Sequence, residues 1–201
     1  PKTTDEIVAC GPVELVKCVS EGGCGLVQLK QSFDLEQMYG PNYGYRSGLN
    51  ESMVRHLQSK VKKILEKGIL EHGDLVIDIG SNDCTTLKAY PETTFTLVGI
   101  DPTGVKFAGY YPDHVQLIPD FFSGDLITDK FAGKKAKVIT SFSMFYDLED
   151  PVKFAVEIES ALAEDGVWVF EQSYLPTMLR TNSFDTICHE HLEFYSLKQI
   201  C

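Results

Sequence analysis

The chain has 201 residues, of which 43% are hydrophobic and 23% charged, with 18 Lys and Arg residues against 29 Asp and Glu residues. This composition is typical of a globular protein with one good core, or one core and a small appendage. The net charge of −11 argues against a nucleic-acid partner, because a phosphate backbone would be repelled. No apolar run reaches the ~18 residues of a membrane span, so we expect no membrane partner either.

The first 50 residues differ in character from the rest. They are rich in Gly, Tyr and Cys, and they carry two short strand-like runs at 13–16 and 26–29. We therefore expect a small Cys-containing module over residues 1–50 and a second domain over residues 51–201. Because the chain does not start with a basic segment followed by an apolar one, as a signal peptide would, we expect reduced thiols and a cytoplasmic location.

From residue 50 onward, helical and strand-like patterns alternate. Asn50 or Ser52 can cap a helix whose apolar spacing extends to Leu70, with Gly73 as its stop. A second helix is predicted over residues 151–162. Five short apolar runs predict buried parallel strands, at 75–79, 95–100, 115–118, 136–140 and 167–170. This alternation predicts an α/β fold with a Rossmann-like parallel sheet.

The turn after the first of these strands is the most informative part of the sequence. Asp78 lies at the strand end, Gly80 allows a ligand close to the backbone, and Ser81 and Asn82 offer polar groups there. A dinucleotide fingerprint would need glycines at positions 82 and 85, where this chain has Asn82 and Thr85. A nicotinamide dehydrogenase is therefore disfavoured. A cationic nucleoside without phosphates, such as S-adenosylmethionine, suits the turn better.

Further cofactor-binding candidates follow the other strands. Asp101 stands where a carboxylate can accept hydrogen bonds from a ribose diol. Phe121 and Phe122 offer a platform for adenine, and Ser141 and Met144 follow the fourth predicted strand. Two alternatives remain open: the aspartates at the strand ends can be turn-capping groups, and the two phenylalanines can be ordinary core residues.

The sequence resembles the S-adenosylmethionine-dependent sugar C-methyltransferases, which modify nucleotide-linked keto-deoxysugars. The matching segments are 24–29, 43–48, 78–83, 149–151, 170–172 and 187–196. The resemblance implies an N-terminal zinc-binding module, a methyltransferase domain and a C-terminal domain. Two departures stand out: Cys84 replaces a common Gly, and two strands and the C-terminal domain are expected beyond Cys201. We therefore expect the methyltransferase domain to be incomplete at its C-terminus.

The resemblance also implies catalytic roles. It makes His191 the general base that forms an enolate, with Glu190 orienting it or contacting the sugar. His189 would assist, while Tyr43 and Tyr45 would close over the sugar and polarise its carbonyl. Other interpretations stay open for the two histidines: they can cap a loop, pack in a core, or bind a metal as an extended His-x-His pair.

The N-terminal cysteines are only partly explained. The resemblance implies structural zinc held by four cysteines, with Cys18 and Cys24 as the second pair. The first pair is not visible, and only Cys10 precedes them. Free thiols are the alternative.

Three functions compete at this point. The favoured one is an S-adenosylmethionine-dependent C-methyltransferase of a nucleotide-linked keto-deoxysugar. The second is an O- or N-methyltransferase of another small metabolite, and the third is a non-catalytic fragment that binds S-adenosylmethionine. The sequence does not predict an oligomeric state.

Overall fold

The structure is a computed structural model that describes residues 10–34, 38–39 and 43–201. Its strands are β1 (Leu15–Lys17), β2 (Val27–Leu29), β3 (Leu75–Ile79), β4 (Thr96–Ile100), β5 (Val115–Ile118), β6 (Ala136–Phe142), β7 (Leu162–Glu171) and β8 (Glu193–Phe194). Its α-helices are α1 (Glu51–Glu66), α2 (Gly104–Phe107), α3 (Gly124–Lys130), α4 (Pro151–Ala161), α5 (Leu175–Thr181) and α6 (Leu197–Ile200). Short 3-10 segments lie at Ser47–Leu49, Leu87–Ala89, Ala108–Tyr110 and Phe145–Asp147.

The larger of two compact units contains a five-stranded parallel sheet, and comprises the described residues of 35–145 together with 150–172. The strand order is β5-β4-β3-β6-β7, with every neighbouring pair parallel. All five residues of β3, the central strand, are buried. The predicted α/β fold with a Rossmann-like sheet is therefore confirmed, because continuous apolar runs are what a sheet covered on both faces requires.

The long helix α1 begins where the sequence predicts and ends earlier. The Asn50 side chain caps it by accepting a hydrogen bond from the Ser52 amide at 3.0 Å. The helix stops at Glu66, whereas the predicted stop was Gly73. Gly68, at φ +63°, provides the left-handed turn that follows the helix, so the prediction of a helix to Leu70 was wrong.

Helix α1 and one end of the sheet enclose a hydrophobic cluster. Its buried members include Val61 and Ile64 of α1, Val76 of β3, and Cys84. Helix α4 begins at Pro151, as predicted, and its first turn is capped by the Asp150 side chain, which accepts from the Lys153 amide at 2.9 Å. Local capping signals thus set where both helices begin.

The smaller unit comprises the described residues of 1–34 together with 146–149 and 173–201. It contains a three-stranded antiparallel sheet in the order β1-β2-β8, in which Val27 pairs with Phe194 and Gln28 with Glu193. Residues 193–194 therefore share a sheet with the N-terminal strands. This grouping differs from the predicted domain division near residue 50, and that division stays a prediction. In the described part of the chain, none of the helices is both long and apolar enough to cross a membrane.

Candidate active site

The turn after β3 adopts an unusual backbone path. Three of its five residues have positive φ angles: Gly80 at +71°, Asn82 at +49° and Cys84 at +66°. Such angles are strained for residues with a Cβ and favour glycine. Main-chain hydrogen bonds hold the path, from the Gly80 amide to the Ile100 carbonyl at 2.8 Å and from the Cys84 amide to the Ser81 carbonyl at 2.9 Å. The +66° angle at Cys84 explains why glycine suits this position in the resembling family.

Asp78 is the buried acid of this region. Its side chain is enclosed at the carboxyl end of β3, and the Thr140 hydroxyl donates to Asp78 Oδ1 at 2.5 Å. Burial raises the pKa of Asp78 to about 7, against hydrogen bonds from Thr140 and Thr86 that lower it, and the nearby charge of Asp101 adds to the rise. A carboxylate buried away from water favours a neighbouring cation, because a positive charge offsets the cost of ionising the carboxylate.

Asp101, at the end of β4, organises two turns at once. Its Oδ2 accepts from the Asn82 amide at 2.7 Å, and its Oδ1 accepts from the amide and the hydroxyl of Thr103 at 2.7 and 2.5 Å. The turn-capping role that the sequence left open is therefore present. An ionised carboxylate has about four acceptor positions, so Oδ2 retains one for a ligand hydroxyl.

Residues 45–48 pack directly on the turn. The amides of Ser47 and Gly48 donate to Asn82 Oδ1 and Asp83 Oδ2, each at 3.0 Å, and Asn82 Nδ2 donates to the Tyr45 carbonyl at 3.2 Å. A Cβ on Gly48 would collide with Asp83 Oδ2, so this approach needs glycine. The segment therefore fixes the side chains of the turn.

Arg46 adds a charged contact to the same arrangement. Its Nε lies 3.5 Å from Asp83 Oδ2, and its guanidinium stands 4.4 Å from the centre of the Tyr110 ring. Tyr45, beside it, is 49% exposed, which leaves its phenol available to a substrate. The Tyr43 carbonyl accepts a hydrogen bond from Lys106, so the backbone at that position is also held.

Sequence reasoning missed Tyr111, which supports the turn from the β4–β5 connection. Its hydroxyl lies 2.7 Å from Ser81 Oγ and donates to the Asn82 carbonyl at 3.0 Å. Gly99 makes room for this pair, since a Cβ there would lie 2.6 Å from Ser81 Oγ. No local pattern marks Tyr111, because its partners are about 30 residues away in sequence.

The other strand ends contribute unequally. Ser141 is fully buried, and its hydroxyl accepts from Trp168 Nε1 at 2.9 Å. Met144 lies against the turn, since a Cβ on Gly80 would lie 3.3 Å from its Cγ. Phe121 is half exposed, whereas the Phe122 ring packs edge-on against Phe154 with 5.4 Å between centroids. Among the two phenylalanines, Phe121 is therefore the one free to meet a ligand.

An ion-pair network at the end of β7 was also missed. Glu171 Oε1 lies 2.5 Å from His56 Nε2, and Glu171 Oε2 pairs with Lys60, so both partners come from α1. Burial alone would raise the pKa of Glu171, but hydrogen bonds from Lys60 and His56 outweigh it and hold this pKa below its ordinary value. The spacing of His56 and Lys60 by four residues was the available signal, because it places them on one helix face.

The smaller unit holds the two histidines of the 187–196 segment in different environments. His191 Nδ1 lies 2.5 Å from the Thr186 carbonyl, and its ring stands edge-on to Tyr146 with 4.4 Å between centroids. His189 Nε2 lies 2.9 Å from the Gly11 carbonyl, and its ring packs edge-on to Phe33. The hydrogen bonds of the two rings thus go to separate partners.

The two N-terminal cysteines lie at the tip of the β1–β2 hairpin. Cys18 and Cys24 are both exposed free thiols. A hydrogen bond from the Ser20 hydroxyl lowers the pKa of Cys18, and the amides of Cys24 and Gly25 lower it further. Amide donors directed at sulfur favour a thiolate, which is the form that binds metal.

Comparison with known proteins assigns most of the chain to a family. A model of the methyltransferase domain matches residues 49–201. The chain belongs to the methyltransferase domain family. It is 29% identical over 193 residues to the C-methyltransferase NovU of Streptomyces niveus, a match that covers 94% of this chain and 44% of the relative. The chain thus spans less than half the length of that curated relative.

Two solved structures share the fold. YcgJ from Bacillus subtilis has a TM-score of 0.54 at 18% identity, covering 73% of this chain and 64% of that one. The plantazolicin methyltransferase BpumL, in complex with a triazolic desmethylPZN analog and SAH, has a TM-score of 0.53 at 14% identity. That match covers 76% of this chain and 56% of BpumL.

The methyltransferase domain has acidic side chains that suit a cationic nucleoside. Ligands of doubly wound sheets bind at the carboxyl ends of the strands. Here those ends bring together two buried carboxylates, Asp78 in β3 and Asp101 directly after the adjacent strand β4. Cys84 does not line this edge, because its side chain is fully buried in the hydrophobic cluster with Val76 and Leu87.

Proposed function

We propose that the protein is an S-adenosylmethionine-dependent C-methyltransferase that acts on a nucleotide-linked keto-deoxysugar. The observation that carries the proposal is the combination of the methyltransferase domain with His191, whose ring is held by a hydrogen bond at Nδ1. The similarity to NovU, which is named a C-methyltransferase, supports transfer to carbon.

The cofactor would lie along the carboxyl ends of β3, β4 and β6. Asp78 would meet its cationic end, and Asp101 would accept a ribose hydroxyl through the free position of Oδ2. The backbone at Gly80, together with Ser81 and Asn82, would form the floor of the site. Phe121 would flank the adenine, whereas Phe122, which was also a candidate, packs against Phe154. Ser141 and Met144 would close the far side. The bound cofactor supplies an electrophilic methyl group on a sulfonium.

His191 would act as the general base. Methylation at carbon needs a proton to be removed next to a carbonyl, and a neutral imidazole suits that task because its ordinary pKa is ~6.5. A proton on Nδ1, donated to the Thr186 carbonyl at 2.5 Å, leaves the Nε2 lone pair unprotonated. The hydrogen bond therefore selects the tautomer that a base needs.

The remaining residues would serve the sugar. Glu190 would orient it, and His189 would assist from its place beside the Gly11 carbonyl. Tyr43 and Tyr45 would close over the sugar and direct a phenol at the carbonyl oxygen, where enolate charge develops. The 49% exposure of Tyr45 supports this role.

A structural zinc at Cys18 and Cys24 is part of the proposal for the N-terminal module. The amide and hydroxyl donors around Cys18 support it, because they stabilise a thiolate. Two cysteines supply half of a closed tetrahedral zinc site.

The test measures proton removal separately from methyl transfer. The protein is incubated in D₂O with a panel of nucleotide-linked keto-deoxysugars, with and without S-adenosylmethionine, and NMR follows deuterium entering next to the carbonyl and methyl appearing on carbon. We expect His191→Gln to slow exchange by about 10²-fold or more, the usual effect of removing a general base. Cofactor binding, measured by calorimetry, should be retained.

The matched control is His72→Gln, a substitution of an exposed histidine in the larger unit. It should leave exchange and transfer unchanged. Transfer to oxygen or nitrogen, or full activity in His191→Gln, would favour the O- or N-methyltransferase instead. Absence of cofactor binding in the unsubstituted protein would refute both enzyme functions.

A further inference from the structure

Cys188, Glu190 and His191 lie close together, and the proposed methyl transfer gives no role to Cys188. One potential ligand atom from each residue lies within 4.8 Å of the other two. All three side chains are half-buried, and Cys188 is a free thiol. The hydrogen bond from the His191 amide to the Cys188 carbonyl, at 3.3 Å, closes the turn that brings them together.

From this cluster we infer a binding site for a divalent transition metal, with Zn²⁺ as the favoured ion. Neighbouring ligands of a tetrahedral zinc are about 3.3 to 3.8 Å apart, as bond lengths of about 2.0 to 2.3 Å require. The observed group, whose ligand atoms lie within 4.8 Å of one another, needs to contract by about 1 Å to reach that geometry. Three protein ligands leave a fourth position open.

The chemistry of the donors selects the ion. A thiolate and an imidazole favour Zn²⁺ or Co²⁺ over Mg²⁺ and Ca²⁺, which prefer oxygen ligands. The thiolate and the Glu190 carboxylate carry two negative charges, so a divalent ion makes the site neutral. A neutral site avoids the cost of an uncompensated charge in a half-buried position.

His191 is already oriented as a metal ligand would be. Ligating histidines generally donate their second ring N–H to a carbonyl or a carboxylate, which fixes the ring and makes the other nitrogen a better ligand. The contact between Nδ1 and the Thr186 carbonyl, at 2.5 Å, and the packing against Tyr146 provide this support. His189 is not part of the cluster, which therefore differs from the His-x-His pair that the sequence left open as one alternative.

Metal binding here does not depend on the proposed methyl transfer, but it would affect that reaction. The ion would be held whether or not the protein is a methyltransferase. If Nε2 of His191 is the proposed base, a metal on the same lone pair blocks it, so the metal-bound and base-active forms exclude each other. That consequence alone rests on the proposed function.

The test uses Co²⁺ as a coloured substitute for Zn²⁺ in the full chain. Cys18→Ser and Cys24→Ser are introduced together, so that the hairpin thiols do not contribute. We expect one equivalent of Co²⁺ to produce a thiolate-to-cobalt absorption band, and one equivalent of Zn²⁺ to abolish it. Adding Cys188→Ser should remove the band and weaken Co²⁺ binding, measured by calorimetry, at least tenfold.

Two comparisons keep the result interpretable. Cys201→Ser, at an exposed cysteine of the same unit, should leave the band unchanged. Glu190→Gln keeps every thiol and should weaken Co²⁺ binding at least tenfold, which replaces the Cys188 test if that variant does not fold. Absence of the band at stoichiometric Co²⁺, or a band that persists in Cys188→Ser, would overturn the inference. Neither readout depends on methyl transfer.

Discussion

Asp78→Asn should stabilise the fold and weaken the binding of S-adenosylmethionine. The substitution keeps the shape of the side chain and an oxygen that can accept from the Thr140 hydroxyl, and it removes the ionisable group. Because Asp78 is 2% exposed, its charge gains almost no solvation from water.

The size of the effect follows from the pKa. Burial raises the pKa of Asp78 from 3.8 to about 7. One pKa unit corresponds to 1.36 kcal/mol, so the ionised folded state carries a penalty of about 4 kcal/mol relative to the unfolded chain. The folded state binds this proton more tightly than the unfolded state, so the penalty is complete above pH 7 and disappears as the pH falls toward 4.

The stability assay is urea unfolding at pH 5, 6, 7 and 8. The free energy of unfolding of Asp78→Asn should exceed that of the unsubstituted protein by about 2 to 4 kcal/mol at pH 8, with the difference shrinking toward pH 5. Asp165→Asn is the control, because Asp165 is exposed and pairs with Lys137, and it should show no such pattern.

The binding assay is calorimetry with S-adenosylmethionine at the same pH values. Loss of a charged hydrogen-bonding partner typically costs about 1.5 to 3 kcal/mol, so Asp78→Asn should bind the cofactor at least tenfold more weakly at pH 8. Affinity of the unsubstituted protein should fall below pH 7, as Asp78 becomes protonated. The reasoning about burial would be refuted if the gain in the free energy of unfolding from Asp78→Asn were smaller at pH 8 than at pH 5.

Two further predictions concern thiols. Burial raises the pKa of Cys84 to about 12. An alkylating reagent at pH 8 should therefore modify exposed Cys201 and leave Cys84 intact in the folded protein, as peptide mass mapping would show. Equal labelling of both cysteines would contradict the burial of Cys84. The Ser20 hydroxyl is the main group that lowers the pKa of Cys18, so Ser20→Ala should slow alkylation of Cys18 severalfold at pH 7.5 without changing that of Cys201. Unchanged alkylation of Cys18 would rule out the hydroxyl as the cause.

Much of the fold was predictable because its signals are local. The apolar run 75–79 is a strand with all five residues buried, and Asn50 and Asp150 cap helices near the predicted starts. The strand predicted at 167–170 is longer, Leu162–Glu171, because Leu162 also pairs with Ala136 of β6, ahead of a register irregularity. Hydropathy marks only the apolar half of such a strand.

The sequence proposes which residues form the candidate site, but not the contacts that hold them. Asp78, Gly80 and Asp101 are candidates because of their places at strand ends. The sequence did not indicate that Tyr111 would hold Ser81, or that His56 would meet Glu171 across 115 residues. Such pairs depend on how distant segments fold back, and no periodicity or spacing encodes that distance.

The sequence by itself determined the parallel sheet, the absence of a pyrophosphate cradle and the identity of the polar residues at the strand ends, because each follows from residues close together in the chain. Only the tertiary structure decided the state of those residues. In the folded chain Asp78 is buried and has a pKa of about 7, and Cys84 packs in the core. Folding also brings Cys188, Glu190 and His191 close together. Burial and proximity in space control ionisation and ligation, and both arise only when the chain is folded.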